Sequence, residues 1–144
     1  MKRIKISLPG KFHFKTEIPI RITDINYGGH LGNDKILSLV QEARVRYLKS
    51  FGYSEMNVEG FGIIMVDASV EYKSEVFYGD IILIEVEAAD FDKFGFDIFY
   101  KLINKEFGKE IARVKTGILI YDYSKKKIMP VPDNFLKKIR TITQ

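Results

Sequence analysis

The chain contains no cysteine and no tryptophan, and only four of its 144 residues are proline. Without thiols there can be no disulfide, no thiolate-held metal and no cysteine nucleophile, and the composition is compatible with a reducing, cytoplasmic setting. No stretch approaches the ~20 apolar residues that a membrane-spanning helix requires. The opening MKRIKISLPGK lacks the apolar centre of a secretory signal. A cytoplasmic protein with no membrane span is therefore expected. No internal repeat or low-complexity stretch is visible, and no nucleic-acid-binding motif accompanies the moderate formal charge of +4. Basic residues are dispersed except at Lys125, Lys126 and Lys127 and at Lys137, Lys138 and Arg140. Short runs of this kind serve as a solvated surface or meet a small polyanion.

What is present points to one sheet-rich domain covering residues 1–144, because two domains of this size would each be too small to close a core. Hydrophobic residues make up 46% and charged residues 29%, and eleven Phe with eight Tyr favour half-buried pleated surfaces. The segment HFKTEIPIRI (13–22) alternates as a strand, with Pro19 suited to an edge or strand start. NDKILSLVQEARVRYLKSFG then reads as a helix, with Asn33 or Asp34 as N-cap and Gly52 just past its end. Ile36, Val40, Ala43, Tyr47 and Phe51 fall on one side of it, flanked by Leu37 and Leu48, a stripe wide enough to be wrapped by other elements. Strands follow near 62–73, 80–90, 96–104 and 110–123, separated by Tyr78-Gly79-Asp80, Lys93-Phe94-Gly95 and Glu106-Phe107-Gly108-Lys109. A short helix over PDNFLKKIR caps the chain. The expectation is an α+β fold, a curled antiparallel sheet of five to six strands around one long helix. One helix cannot cover every apolar position of such a sheet, so a homodimer or homotetramer is expected.

The turn TDINYGGHLGND (23–34) concentrates polar and flexible positions immediately before the helix. Glycines such as Gly29 and Gly32 allow backbone amides to approach a ligand closely. The helix start offers free N–H groups and the positive dipole end, suited to an anion or a carbonyl oxygen. The amides near Gly32 and Asn33 are the candidates for that role, and His30 can hydrogen-bond in either sense. No metal or redox cofactor is required by this set.

The stretch DINYGGHLGNDKILSLVQEAR, with Asp24, Gly29-His30, Asn33 and Glu42-Ala43-Arg44, resembles the signature of the acyl-CoA thioesterases of the hotdog superfamily, particularly the 4-hydroxybenzoyl-CoA thioesterase-like branch. VEYKSEVFYGDIILIEV and IARVKTGILIYDYSKKK resemble its later strands, so the likeness covers nearly the whole chain. It implies a hotdog fold and hydrolysis of an acyl-CoA or acyl-carrier thioester, with coenzyme A present as part of the substrate. Members of that branch carry two acidic residues one position apart in the turn, the second acting as nucleophile or base; the matching residue here is Asn26. An amide can neither attack as a carboxylate nor accept a proton at neutral pH. Longer-chain acyl-CoA hydrolases take their carboxylate from mid-helix, where Gln41 aligns and Glu42 follows.

The carboxylate is therefore Asp24 or Glu42, with Asn26 and His30 positioning water and substrate. Asp24 alternatively holds the turn, Glu42 alternatively pairs with Arg46, and Asp34 is a first-turn helix carboxylate. Lys73, Arg113, Lys115 and Thr116 are candidates for the nucleotide end of coenzyme A, with ordinary solvent-facing strand positions as the plainer reading. Two other readings remain open, an acyl-thioester dehydratase or hydratase using His30 and Glu42, and a non-catalytic acyl-CoA or acyl-carrier binding module that has lost its base at Asn26.

Overall fold

A computed structural model describes residues 1–143. Its long strands fall where the alternation predicts: β1 (Phe14–Pro19), β2 (Gly62–Tyr72), β3 (Ile81–Ala89), β4 (Gly95–Asn104) and β5 (Glu110–Asp122), with a short β6 (Lys127–Met129) that the sequence reading did not separate. Every pairing is antiparallel, in the order β1-β3-β4-β5-β2, with β6 attached to β5. Pro19, which has no N–H to donate, closes β1 at one edge of the sheet.

Two-residue alternation gives the sheet one apolar face. Ile82, Ile84 and Val86 of β3, Ile98, Tyr100 and Leu102 of β4, and Ala112, Val114 and Ile118 of β5 are buried on it. The helix α1 (Ile36–Ser50) lies against that face and buries Ile36, Val40, Ala43 and Tyr47, as the spacing predicts. Leu37, expected to flank this stripe, is instead exposed. Each fully buried aliphatic side chain here contributes about 1.5–3 kcal/mol relative to exposure. The second helix, α2 (Asp133–Thr143), closes one end by inserting Phe135 among Phe51, Tyr53, Phe91 and Phe96. Its ring centroid lies 5.3 Å from that of Phe96 and 5.7 Å from that of Tyr53, the range favourable for tilted aromatic pairs.

Arg44 is the polar exception on the inner side of α1. Its Nε donates to Glu55 Oε2 at 2.9 Å and its Nη1 to the Tyr100 hydroxyl at 3.3 Å, and that hydroxyl lies 3.0 Å from Thr116 Oγ1. Burial opposes the Arg44 charge, but Tyr100 and Glu55 outweigh it and raise its pKa. The arginine of Glu-Ala-Arg thus ties the helix to β4.

Among the described residues no helix is long and apolar enough to cross a membrane.

Candidate active site

The turn preceding α1 is built as a small closed loop. Ile22–Asp24 form one turn of 3-10 helix, Ile25 bridges to Leu31, and Asn33–Lys35 form a second 3-10 turn that leads into α1. The α-helix therefore begins at Ile36, and neither Asn33 nor Asp34 acts as a side-chain N-cap. Asn26 N–H donates to His30 O and Gly29 N–H to Asn26 O, while Asn26 Oδ1 accepts Gly28 N–H at 2.9 Å. Gly29, with φ +84°, supplies the left-handed residue that this reversal needs.

The loop opens onto a cleft of about 770 Å³, within the range of small-molecule sites. Asn26, Tyr27, His30, Asn33 and Asp34 line one side, and Tyr72, Lys73, Ser74 and Glu75 line the other. Leu31 N–H donates to Val76 O at 2.7 Å, and Tyr72 Oη–H donates to Asn33 O at 3.1 Å. Those two bonds hold the segment after β2 alongside the turn.

His30 Nδ1 lies 3.3 Å from Leu31 O. A carbonyl only accepts, so Nδ1 carries the hydrogen and Nε2 of the neutral ring is left as a proton acceptor. Glu75 Oε1 stands 3.9 Å from that Nε2, and both side chains reach solvent. Gly28 leaves room for the ring, since a Cβ there would sit 3.4 Å from Nε2 and 3.2 Å from Asn26 Oδ1.

Several expected site residues lie elsewhere. Asp24 is buried and absent from the cleft lining, and its carboxylate accepts Arg21 N–H at 2.9 Å and faces the Arg21 guanidinium, a turn-holding role. Glu42 is exposed and pairs with Arg46 at 3.1 Å, and Arg46 in turn donates to Thr16 Oγ1 and Glu17 O. Gly32 does not line the cleft, and its N–H goes to Asp24 O. Gly29 is likewise absent from the lining, and its N–H is already bonded within the loop.

Thr116 is fully buried on the inner face of β5, against Tyr100. Arg113 and Lys115 alternate with it and so project from the opposite face, where Arg113 pairs with Glu110 and bonds Ile6 O, and Lys115 pairs with Asp67. These three cannot serve one nucleotide together. Of the expected cations only Lys73 borders the cleft, with its Nζ 3.3 Å from Glu71 and 3.9 Å from Glu110. Asn26, His30 and Asn33 are brought together there. The Asn33 and Asp34 amides at the start of the helical run have no hydrogen-bond partner among the described residues.

A family model described as the thioesterase-like superfamily matches residues 20–139. The chain belongs to that superfamily. A protein of Aquifex aeolicus (strain VF5), provisionally named an esterase, is 28% identical over 102 residues, which are 69% of this chain and 77% of the relative. The solved structure of a 1,4-dihydroxy-2-naphthoyl-CoA thioesterase from Synechocystis superposes with a TM-score of 0.82 at 21% identity, covering 91% of this chain and 98% of that one. A DHNA-CoA thioesterase from Staphylococcus aureus gives 0.76 at 18% identity, covering 90% and 87%. The fold is thus the hotdog architecture that the sequence leads one to expect.

Glu75 and Tyr72 border the cleft but are not evident from the turn motif. Both stand in VEYKSEVFYGD, and Glu75 lies 45 residues from His30 in the chain. The available signal is the break in alternation at Lys73-Ser74-Glu75, which ends β2 and places polar residues in a connecting segment.

Proposed function

We propose that this protein is an acyl-CoA thioesterase that hydrolyses its substrate in the cleft beside His30. The observation that carries this reading is the juxtaposition of a proton-accepting imidazole nitrogen and a carboxylate, His30 Nε2 and Glu75 Oε1 at 3.9 Å, next to unbonded amides at a helix start. The separation is too long for a direct hydrogen bond and suits a water donating to both acceptors. That water attacks the thioester carbon, and Nε2 takes its proton. Glu75 then faces an imidazolium and stabilises it. Developing charge on the carbonyl oxygen is met by the Asn33 and Asp34 amides. As the C–S bond breaks, the imidazolium returns the proton to the departing thiolate, leaving a carboxylic acid and a free thiol.

Glu75 fills the place left by Asn26, whose amide holds the loop through Gly28. Exposed Glu42, paired with Arg46, does not favour the dehydratase or hydratase reading. A released-thiol assay over acyl-CoAs of varied chain length and aromaticity, with matched acyl-carrier thioesters, tests the proposal. Turnover of at least one thioester, reduced in Glu75→Gln and His30→Ala, is expected. No turnover of any thioester above background overturns it.

A homodimer is part of the same proposal. Among the described residues β2 pairs with β5 alone, and it exposes Val66 and also Met65, which lies beside Leu37 and Gln41 of α1. Light scattering at micromolar concentration is expected to give twice the chain mass, and a purely monomeric protein would contradict it.

A further inference from the structure

Glu75 carries the carboxylate of the proposed reaction, yet its own atoms are tied down by little. Its side chain is exposed with His30 as its one polar contact, and its backbone N–H and C=O make no hydrogen bond among the described residues. Its place is therefore set by its neighbours along the chain. On one side, Val76 O accepts Leu31 N–H. On the other, the N–H groups of Lys73 and Ser74 both donate to Ile111 O, at 2.8 and 3.1 Å, and Ser74 Oγ–H donates to Glu110 O at 2.7 Å.

Lys73 adds a side-chain anchor to that second flank. Its Nζ lies 3.3 Å from Glu71 and 3.9 Å from Glu110, so two carboxylates already match the charge that a ligand phosphate would seek. Both carboxylates are themselves fixed from behind. Glu71 and Arg113 stand directly opposite each other on β2 and β5, where opposite charges ordinarily pair. Here the backbone of Ile6 bonds them both instead. Glu71 Oε1 accepts Ile6 N–H at 2.9 Å, and Arg113 Nη1 donates to Ile6 O at 3.1 Å. Arg113 gives its remaining donors to Glu110, at 2.8 and 3.1 Å. Ile6 is buried, which seats the N-terminal segment on this cluster.

Building on the hydrolysis reading, we propose that Lys73 is a positioning residue that holds Glu75 beside His30, with the N-terminal segment at Ile6 as the outer anchor of that hold. A reacting group placed about 1 Å away from its productive position loses about a hundredfold in rate, so an anchor two residues from Glu75 has leverage on the chemistry.

The test compares Lys73→Met with the parent on two thioesters of one acyl group, a coenzyme A ester and an N-acetylcysteamine ester that has no phosphate. A fall in kcat of about tenfold on both is expected, with KM little changed. A rise in KM confined to the coenzyme A ester would make Lys73 a phosphate contact and overturn the proposal. In a Glu75→Gln background, Lys73→Met is expected to cost less than about twofold more, because it acts through that carboxylate. An undiminished loss there overturns it. Lys73→Arg is expected to restore most of the rate. Ile6→Pro, which removes the N–H that Glu71 accepts, is expected to lower kcat about threefold on both esters; unaltered kcat would overturn the part assigned to the N-terminal segment. If no thioester is turned over, the hydrolysis reading fails and the His30 imidazole resonances decide the positioning role. Lys73→Met is expected to move them as Glu75→Gln does, and resonances that stay at the parent's positions overturn it.

Discussion

Glu75 Oε1 lies 3.9 Å from His30 Nε2, although 45 residues separate them along the chain. If this pair activates water, Glu75→Gln and His30→Ala each lower kcat by about 10²–10⁴, the usual range for a general base. The double variant is expected to lose little more than either alone, because the two act on one proton. Glu42→Gln is expected to stay within about twofold of the parent, since that carboxylate holds Arg46 at the surface. Steady-state kinetics on one acyl-CoA separate these outcomes, and a Glu42→Gln loss matching that of Glu75→Gln would return the base to the helix.

Gly28→Ala probes the loop without removing a reacting group. The added methyl would press on Asn26 Oδ1 at 3.2 Å and touch His30 Nε2 at 3.4 Å, so the Asn26 side chain must give by a few tenths of an ångström beside the imidazole. A fall of about tenfold in kcat is expected, with Tm nearly unchanged because Gly28 is exposed. Unaltered kinetics would show that the ring position does not limit the reaction.

Tyr100→Phe should act on stability. Its hydroxyl joins Arg44 to Thr116 in the interior, and removing it leaves a buried guanidinium N–H and a buried hydroxyl each short of one partner. A loss of about 1–3 kcal/mol is expected from urea unfolding. A loss below about 0.5 kcal/mol would mean that neither group depended on it.

The N-terminal segment is expected to respond to acid. Ile6 N–H donates to Glu71 Oε1 at 2.9 Å, and this bond, followed by Lys73, holds the Glu71 carboxyl below the ordinary carboxylate value. The docked segment favours ionised Glu71, so its attachment is fully present above the ordinary carboxylate pKa and is lost as pH falls through the lowered one. The Ile6 amide resonance should move in that acidic window, and Glu71→Gln should flatten its profile. An Ile6 resonance that does not titrate in the parent protein would contradict this.

Much of the architecture is legible in the residues themselves. The apolar stripe Ile36, Val40, Ala43 and Tyr47 specifies which side of α1 is buried, and the two-residue period of β3, β4 and β5 specifies the inner face of the sheet. These are local regularities of 3.6 and 2 residues, so sequence spacing reports them. The same period places Thr116 opposite Arg113 and Lys115, which could have separated them as a joint nucleotide site. The helix start is less legible. Asn33 and Asp34 are good capping residues by type, yet the chain enters α1 through a 3-10 turn and uses neither side chain as a cap.

The sequence by itself determined the order of elements, the glycine-rich entry to the one long helix, and the lack of an acid at Asn26. Tertiary structure alone decided which carboxylate reaches His30. Asp24 and Glu42 are near in sequence, but a three-residue turn directs one toward Arg21 and a four-residue helical step gives the other to Arg46. Glu75 arrives because β2 runs along the sheet edge beside β5 and its exit is held to the turn by the bond from Leu31 N–H to Val76 O. Such a contact depends on strand pairing at long range, and no spacing within either segment encodes it.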